Sequence, residues 1–376
     1  MKVLLIPDKF KGSLTARQVV GAFSYGIRRF NTKSTIFKVF ASDGGDGFLD
    51  AIEHYISVER VEVDTIDPLG RPLKSYYLID KKNDTAYIEL AKASGLELLS
   101  QSELKIMEAS TLGSGIQIMD AINNGAKNLV VGLGGSATND GGIGIAHALG
   151  FRFLDNKGNE LEPKGKNLIH IAQIVKMDGS LWHNKAFMAV NDVSNPLVGQ
   201  EGASTIYGPQ KGANREQVQA LDEGLRNLAE RAKETLGRDY ALLPGTGAAG
   251  GAAFGLKSFF NADFVSGVDF IFQLAELPEI FKNNRIDYII TGEGKIDAQT
   301  LQGKLIKGVM ELGRKYQVPV IAVCGKLEVD SQEMKQHGLL EVLEIGKDAS
   351  SLQYSMDNAA ELIENAIYNY FENLRR

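Results

Sequence analysis

The chain is poor in cysteine, in tryptophan, in positive charge and in long apolar runs. Its 376 residues include one cysteine, Cys324, and one tryptophan, Trp182. A lone cysteine excludes an internal disulfide framework and a cysteine-rich zinc site, and it suits a reducing cytoplasm. No stretch has the makings of a transmembrane helix: the longest uncharged one, Tyr240 to Leu256, is full of glycine and holds a proline. The opening MKVLLIPDKF meets Asp8 at once and is too short an apolar run for a signal peptide. Lys and Arg number 41 against 47 Asp and Glu, and a net charge of −6 argues against a nucleic-acid or anionic-membrane partner. None of the histidines (His54, His147, His170, His183, His337) lies in the polar loops described below, so a metal hydrolase or a Ser-His-Asp enzyme has little support. Trp182-His183 reads as packing or surface. The Walker A pattern is missing as well. None of the pairs Gly165-Lys166, Gly303-Lys304, Gly325-Lys326 and Gly346-Lys347 is followed by Ser or Thr with a glycine five before, and no protein-kinase catalytic loop occurs.

Glycine, by contrast, is abundant at 41 residues, and it is clustered where backbone must approach something closely. The richest stretch is Asn128 to Gly150. Leu129-Val130-Val131 reads as a buried strand, a loop follows with Gly132, Gly134, Gly135, Gly141 and Gly142, and Ile143 to Leu149 reads as a helix. Strand, glycine loop and helix start can hold a phosphate through backbone N–H groups and the positive end of the helix. Gly132-x-Gly134-x-x-Ala137 also fits a relaxed dinucleotide fingerprint, with Asp155 as the downstream acid. Ser136, Thr138, Asn139 and Asp140 delay the helix, however, and better suit phosphates with a metal ion. A plain packing turn is the simplest alternative.

Lys2–Pro7 and Ile36–Phe40 read as strands, each followed by a special turn and a helix, with Ser13 capping the first helix. Val58–Asp64 and Leu73–Ile79 form a hairpin around DPLGRP, and Thr85–Leu90 is a further strand. Near the C-terminus, Ile286–Ile290 and Val318–Val323 are strands alternating with helices Leu301–Tyr316 and Asn358–Leu374. The two ends of the chain therefore read as one parallel-sheet α/β domain, 1–65 plus 280–376. A mixed α/β domain, 66–279, is inserted, with 110–150 open to assignment to the first.

Polar groups collect at the predicted C-terminal strand ends, where α/β sheets gather functional groups. Lys9, Lys11 and Ser13 follow the first strand and make sense around an anion, or as solvated surface lysines. Asp43-Gly44-Gly45-Asp46-Gly47 suits a metal, a polyol, or a simple Asx turn. Asp192 closes another strand and is placed to accept a hydroxyl proton. Lys211 sits in the rigid turn GPQKGA. Thr291-Gly292-Glu293-Gly294-x-x-Asp297 puts two carboxylates in a loop, with Lys304 beyond.

Taken together these blocks resemble the bacterial type-1 glycerate kinases: PDKFKGSLTA from Pro7, SDGGDGF from Ser42, DPLGRP from Asp67, GLGGSATNDGG from Gly132, NDVSNPLVG from Asn191, GPQKGA from Gly208, PGTGAAGG from Pro244 and ITGEGKIDAQT from Ile290. The family often has serine at Lys9 and cysteine at Asn191, so Lys11 is the stronger of the two lysines. The resemblance implies a two-domain α/β fold, a Rossmann/flavodoxin-like parallel-sheet domain plus the inserted one, with the active site in the cleft between them. It also implies phosphorylation of D-glycerate by ATP with Mg2+, here expected in the cytoplasm. 2-Phosphoglycerate is preferred over 3-phosphoglycerate as product. On chemistry and position, Gly134, Gly135, Ser136 and Thr138 are expected at the ATP phosphates, with Lys211 and Lys11 balancing charge. Asp192 is the first choice of base and Asp297 the second. Glu293 is placed at the metal, and Arg71, Ser13 and Asp43 at the substrate. A nicotinamide-dependent oxidoreductase and a non-catalytic nucleotide-binding protein are the rival readings.

Overall fold

The computed structural model describes residues 1–40, 44–45, 47–177, 182–297, 300 and 305–375. Among these, the strands in chain order are β1 Lys2–Pro7, β2 Thr35–Lys38, β3 Glu59–Ile66, β4 Pro72–Asp80, β5 Thr85–Glu89, β6 Asn128–Gly132, β7 Phe151–Leu154, β8 Gln173–Lys176, β9 Ala186–Val190, β10 Asp263–Val265, β11 Tyr288–Ile296, β12 Val320–Leu327 and β13 Leu339–Glu344. The chain divides into two compact units, one of residues 1–42 and 268–376, the other of residues 43–267.

The first unit is built on a five-stranded sheet in the order β13-β12-β11-β1-β2, every pair parallel. A strand with parallel neighbours on both sides and helices on its faces is buried throughout. That explains the unbroken apolar run Val3-Leu4-Leu5-Ile6. Helix Ala16–Phe30 packs on helix Ala359–Arg375 with Phe23, Ile27, Ile363, Ile367 and Phe371 in the core. Gly26 permits the close approach, because a Cβ there would lie 2.6 Å from the Glu364 carbonyl oxygen. The helix is capped by Thr15 in a capping box with Gln18, not by Ser13. Ser13 is held earlier, in a tight turn in which Phe10 and Leu14 exchange backbone hydrogen bonds, and its hydroxyl donates to the Met356 carbonyl at 2.6 Å.

β11 also departs from expectation. It continues past Ile290 to Ile296, so Thr291-Gly292-Glu293-Gly294-Lys295 is strand rather than loop. The segment is clamped on both sides, Gly292 pairing with Pro7 and Glu293 with Cys324. Glycine is required at 292, where a Cβ would lie 2.3 Å from the Val323 carbonyl oxygen.

The second unit holds a six-stranded sheet, β10-β9-β6-β5-β4-β3. β5, β6, β9 and β10 are parallel, while β3, β4 and β5 form an antiparallel meander. β3 pairs along its whole length with β4. It therefore belongs with the inserted unit, whose first border falls at 42/43 rather than at 65. Its second border falls at 267/268 rather than at 280, because Val268 packs against Gly308 in helix Leu305–Tyr316 of the first unit. The stretch 110–150 lies wholly in the second unit. A small antiparallel pair, β7-β8, flanks an aromatic cluster in which Trp182 stacks on Phe151 and meets Phe260 edge-on. No helix of the described residues is long and apolar enough to cross a membrane.

Candidate active site

In the second unit the parallel strands end level with one another. Glu89 of β5 pairs with Gly132 of β6, Gly132 with Val190 of β9, and Val190 with Val265 of β10. The loops that leave this edge begin at Leu90, Leu133, Asn191 and Ser266. The carboxyl edge of parallel strands is where such sheets bind ligands.

The glycines of the 132–142 loop serve backbone-on-backbone packing first. A Cβ at Gly134 would lie 2.2 Å from Gly45 Cα, and one at Gly132 would lie 2.6 Å from the Gly44 carbonyl oxygen. Gly134 N–H donates to that same carbonyl at 3.0 Å. The second glycine tract docks on the loop's far half. Gly141 N–H donates to the Gly250 carbonyl, and a Cβ at Gly250 would fall 2.0 Å from the Thr138 carbonyl oxygen. The backbone is left-handed through Ala249, Gly250 and Gly251, so helix Ala248–Phe260 is kinked at its start.

Asp140 organises the turn into helix Ile143–Ala148. It is fully buried and accepts from Thr111 N at 2.7 Å, Thr111 Oγ1 at 2.8 Å, Gly142 N at 3.0 Å and Gly144 N at 3.3 Å. Burial pushes its pKa up, against the pull of those donors. Asp140 thus consumes the N–H groups at the helix start that were expected to face an anion. Gly134 N–H is committed to Gly44 and Ala137 N–H to the Ser94 carbonyl. Among the described residues, the N–H groups of Gly135, Ser136, Thr138, Asn139 and Asp140 have no protein acceptor. The cradle therefore lies in the middle of the loop.

Lys211, 2% exposed, ends a short 3-10 turn, Pro209–Lys211. Its Nζ donates to Ser136 Oγ at 2.8 Å and to the Thr138 carbonyl at 2.7 Å. Burial pulls its pKa down to about 7, with the Asp140 carboxylate acting in the opposite direction. Asn139 Nδ2 donates to Ser204 Oγ at 2.9 Å, which ties the loop to helix Ala203–Tyr207.

Asp192 follows β9, and its Oδ1 accepts from Ser266 Oγ at 2.7 Å and Gly267 N at 2.9 Å, which fixes the carboxylate. Glu89, which sequence reasoning passed over, is 1% exposed at the end of β5. It accepts from Leu49 N at 3.2 Å and lies 3.5 Å from Lys92 Nζ. The available signal was a lone carboxylate inside the apolar run Thr85–Leu90. Arg71 is in the turn between β3 and β4, with its guanidinium held by Asp67 and Glu103. Asp43 and Asp46 lie outside the described residues.

In the first unit, Lys11 is exposed in the loop after β1, beside Gly294 of β11. Thr300 Oγ1 donates to Glu293 Oε1 at 2.7 Å and accepts from Asp297 N at 3.1 Å, so one hydroxyl joins the two acids chosen from the sequence. Lys295 lies 3.0 Å from Asp297 and 3.1 Å from Glu328. Lys304 is outside the described residues, among which no group of three or more His, Cys, Asp or Glu is placed to hold a metal ion. Burial pushes the Cys324 thiol up to about 12, so it is not a nucleophile at neutral pH.

Residues 3–375 match the family model of the glycerate kinase family. The chain belongs to the glycerate kinase family. Proteins named glycerate kinase from Halalkalibacterium halodurans (37% identical, 98% of this chain and 96% of theirs) and Bacillus subtilis (36%, 97% and 95%) align along nearly its whole length. So does glycerate 2-kinase from Escherichia coli (35%, 98% and 97%). A crystal structure assigned to glycerate kinase 2 of Salmonella typhimurium LT2 superposes with a TM-score of 0.83 at 33% identity, covering 100% of this chain and 98% of that one. This member of the glycerate kinase family is therefore an enzyme, a phosphotransferase. The oxidoreductase and non-catalytic readings fall with that result. The geometry agrees: Asp155, the supposed ribose acid, instead caps the turn after β7, accepting from Lys157 N and Asn159 N.

Proposed function

We propose that this enzyme transfers the γ-phosphoryl group of ATP, with Mg2+, to a hydroxyl of D-glycerate in the cytoplasm, giving 2-phosphoglycerate in preference to 3-phosphoglycerate. The observation that carries the ATP reading is the set of N–H groups of Gly135, Ser136, Thr138, Asn139 and Asp140, which have no acceptor among the described residues, at the carboxyl edge of parallel strands. Position 2 is supported by the E. coli relative named glycerate 2-kinase. In phosphoryl transfer a protein mainly positions groups and neutralises charge. Gly135, Ser136 and Thr138 present N–H groups and hydroxyls to the phosphates, and Lys11 balances charge on the transferred group. Asp192, oriented by Ser266 and Gly267, takes the hydroxyl proton, with Asp297 as the alternative base. Arg71 takes the glycerate carboxylate, Ser13 and Asp43 contact the substrate, and Glu293 ligates the ion. Mg2+ keeps several waters and is held largely by phosphate oxygens, so it needs few protein carboxylates.

The test is ADP release in a coupled assay with D-glycerate present and absent, with the product identified by 31P NMR. Turnover is expected only with both substrates. ATP consumption that ignores glycerate would sink the acceptor, and a 3-phosphoglycerate signal would overturn the position.

A further inference from the structure

Lys211 lies in the turn GPQKGA, yet its ammonium does not reach the surface of the loop. It is 2% exposed, and two of its three N–H donors end on the loop itself, at Ser136 Oγ and at the Thr138 carbonyl. The second contact has a consequence for the next residue. A trans peptide is planar, and its C=O and N–H point in opposite directions. A Thr138 carbonyl drawn toward the buried ammonium therefore turns the Asn139 N–H the other way, and this N–H is one of those without a protein acceptor. Gly250 leaves the room this needs, since a Cβ there would lie 2.0 Å from the same carbonyl oxygen. Asn139 is held independently by Ser204, so the 138–139 peptide is fixed from both of its residues.

We propose that Lys211 is a positioning residue, which sets the 138–139 peptide so that the Asn139 N–H faces the nucleotide phosphates, and does not itself touch them. The inference rests on the proposal that this loop binds ATP, and it changes what a lysine in this turn is for. A phosphate-contacting lysine would act on the charge of the transferred group. A positioning lysine acts on the shape of a cradle that ATP and ADP share.

The test compares Lys211→Met with the parent enzyme in three measurements: calorimetric binding of ATP–Mg and of ADP–Mg, steady-state kinetics for both substrates, and amide hydrogen exchange. The proposal requires ATP and ADP affinity to fall alike, by about tenfold or more, as expected for loss of preorganised donors. KM for glycerate should stay within about twofold, because that substrate does not use the loop. Exchange should accelerate at 135–140 with the strands β5, β6 and β9 unchanged. Loss confined to ATP, with ADP binding and exchange intact, would instead place Lys211 on the transferred phosphoryl group and overturn the proposal. So would unchanged binding of both nucleotides. Should Lys211→Met fail to fold, Lys211→Gln keeps a polar head on a shorter stem that loses the two loop contacts, and it must show the same joint loss at about threefold or more. If the parent enzyme binds neither nucleotide, the ATP reading of the loop fails on its own. Hydrogen exchange at 135–140 then still decides whether Lys211 sets the loop.

Discussion

Gly134→Ala and Gly135→Ala place the same methyl group one residue apart and should have unequal effects. At Gly134 the Cβ would meet Gly45 Cα at 2.2 Å and Gly45 N at 2.8 Å. Both atoms are backbone, so relief requires the 44–45 turn to move and the 3.0 Å bond from Gly134 N–H to Gly44 to break. Overpacking of this kind costs about 1–3 kcal/mol and the hydrogen bond about 1 more, so the second unit should lose roughly 2–4 kcal/mol. At Gly135 the nearest contact is the Ala91 Cβ at 3.2 Å, and the backbone is left-handed at φ 73°. The cost there is conformational, about 1–2 kcal/mol for a residue with a Cβ. The chain's single tryptophan, Trp182, is partly buried and packs against the second unit's core, so its fluorescence during urea unfolding reports on that unit. With m of about 2–3 kcal/mol/M, the midpoint should drop by about 1 M or more for Gly134→Ala and by about half as much for Gly135→Ala. Equal shifts, or a Gly134→Ala midpoint at the parent value, would refute the claim that Gly134 exists for contact with the 44–45 turn.

Two further outcomes are expected. Asp192→Asn keeps a carbonyl oxygen for Ser266 and Gly267 but loses the proposed base, so kcat should fall by about 10² or more with the unfolding midpoint little changed. A near-normal kcat would move the proton to Asp297. Lys211 also makes stability depend on pH: its pKa is about 7 folded against 10.5 unfolded, so between those values the unfolded chain holds a proton that the folded chain has released. Stability of the second unit should rise with pH from about 7 toward 10.5 by up to a few kcal/mol, and Lys211→Met should flatten that rise. A parent slope that is flat or falling, or one unchanged in the variant, would count against a buried Lys211.

The parallel sheet of the first unit was legible because burial on both faces writes itself as the runs Val3–Ile6 and Val320–Val323. The discontinuous unit followed from strand-helix alternation at both chain ends. The end of β11 was not legible, because glycine and charge in TGEGKI read as a loop, and only neighbours on both sides hold such residues in a strand. The cap at Thr15 was missed for a similar reason. Ser13 has the right chemistry, but a tertiary contact with Met356 claims its hydroxyl. β13, half-buried at the sheet edge, lacks the continuous apolar run that marked its neighbours. At the candidate site, the placement of Ser136 and Thr138 in the loop after β6 and of Asp192 after β9 could be read from the sequence pattern. The burial of Lys211, Asp140 and Glu89 could not, since each is a charged residue whose sequence context resembles a surface turn or an ordinary strand end.

The loop's glycines were first read as a phosphate cradle, yet the N–H groups at its ends belong to the protein: Gly134 to Gly44, Gly141 to Gly250, Gly142 and Gly144 to Asp140. Each committed N–H fixes a flank, and each missing Cβ lets a second backbone close on that flank. The result is a rigid frame around the segment from Gly135 to Asp140, whose donors other than Ala137 are unpaired. An unpaired backbone donor in a buried segment carries a cost of about 1–3 kcal/mol. Several in succession are tolerable only when a ligand or water completes them, and a frame held from the 44–45 turn, the 250–255 tract and Lys211 keeps them from relaxing onto one another. If the loop binds phosphate as proposed, glycine supports that binding indirectly: it immobilises the neighbours of the residues whose N–H groups are unpaired.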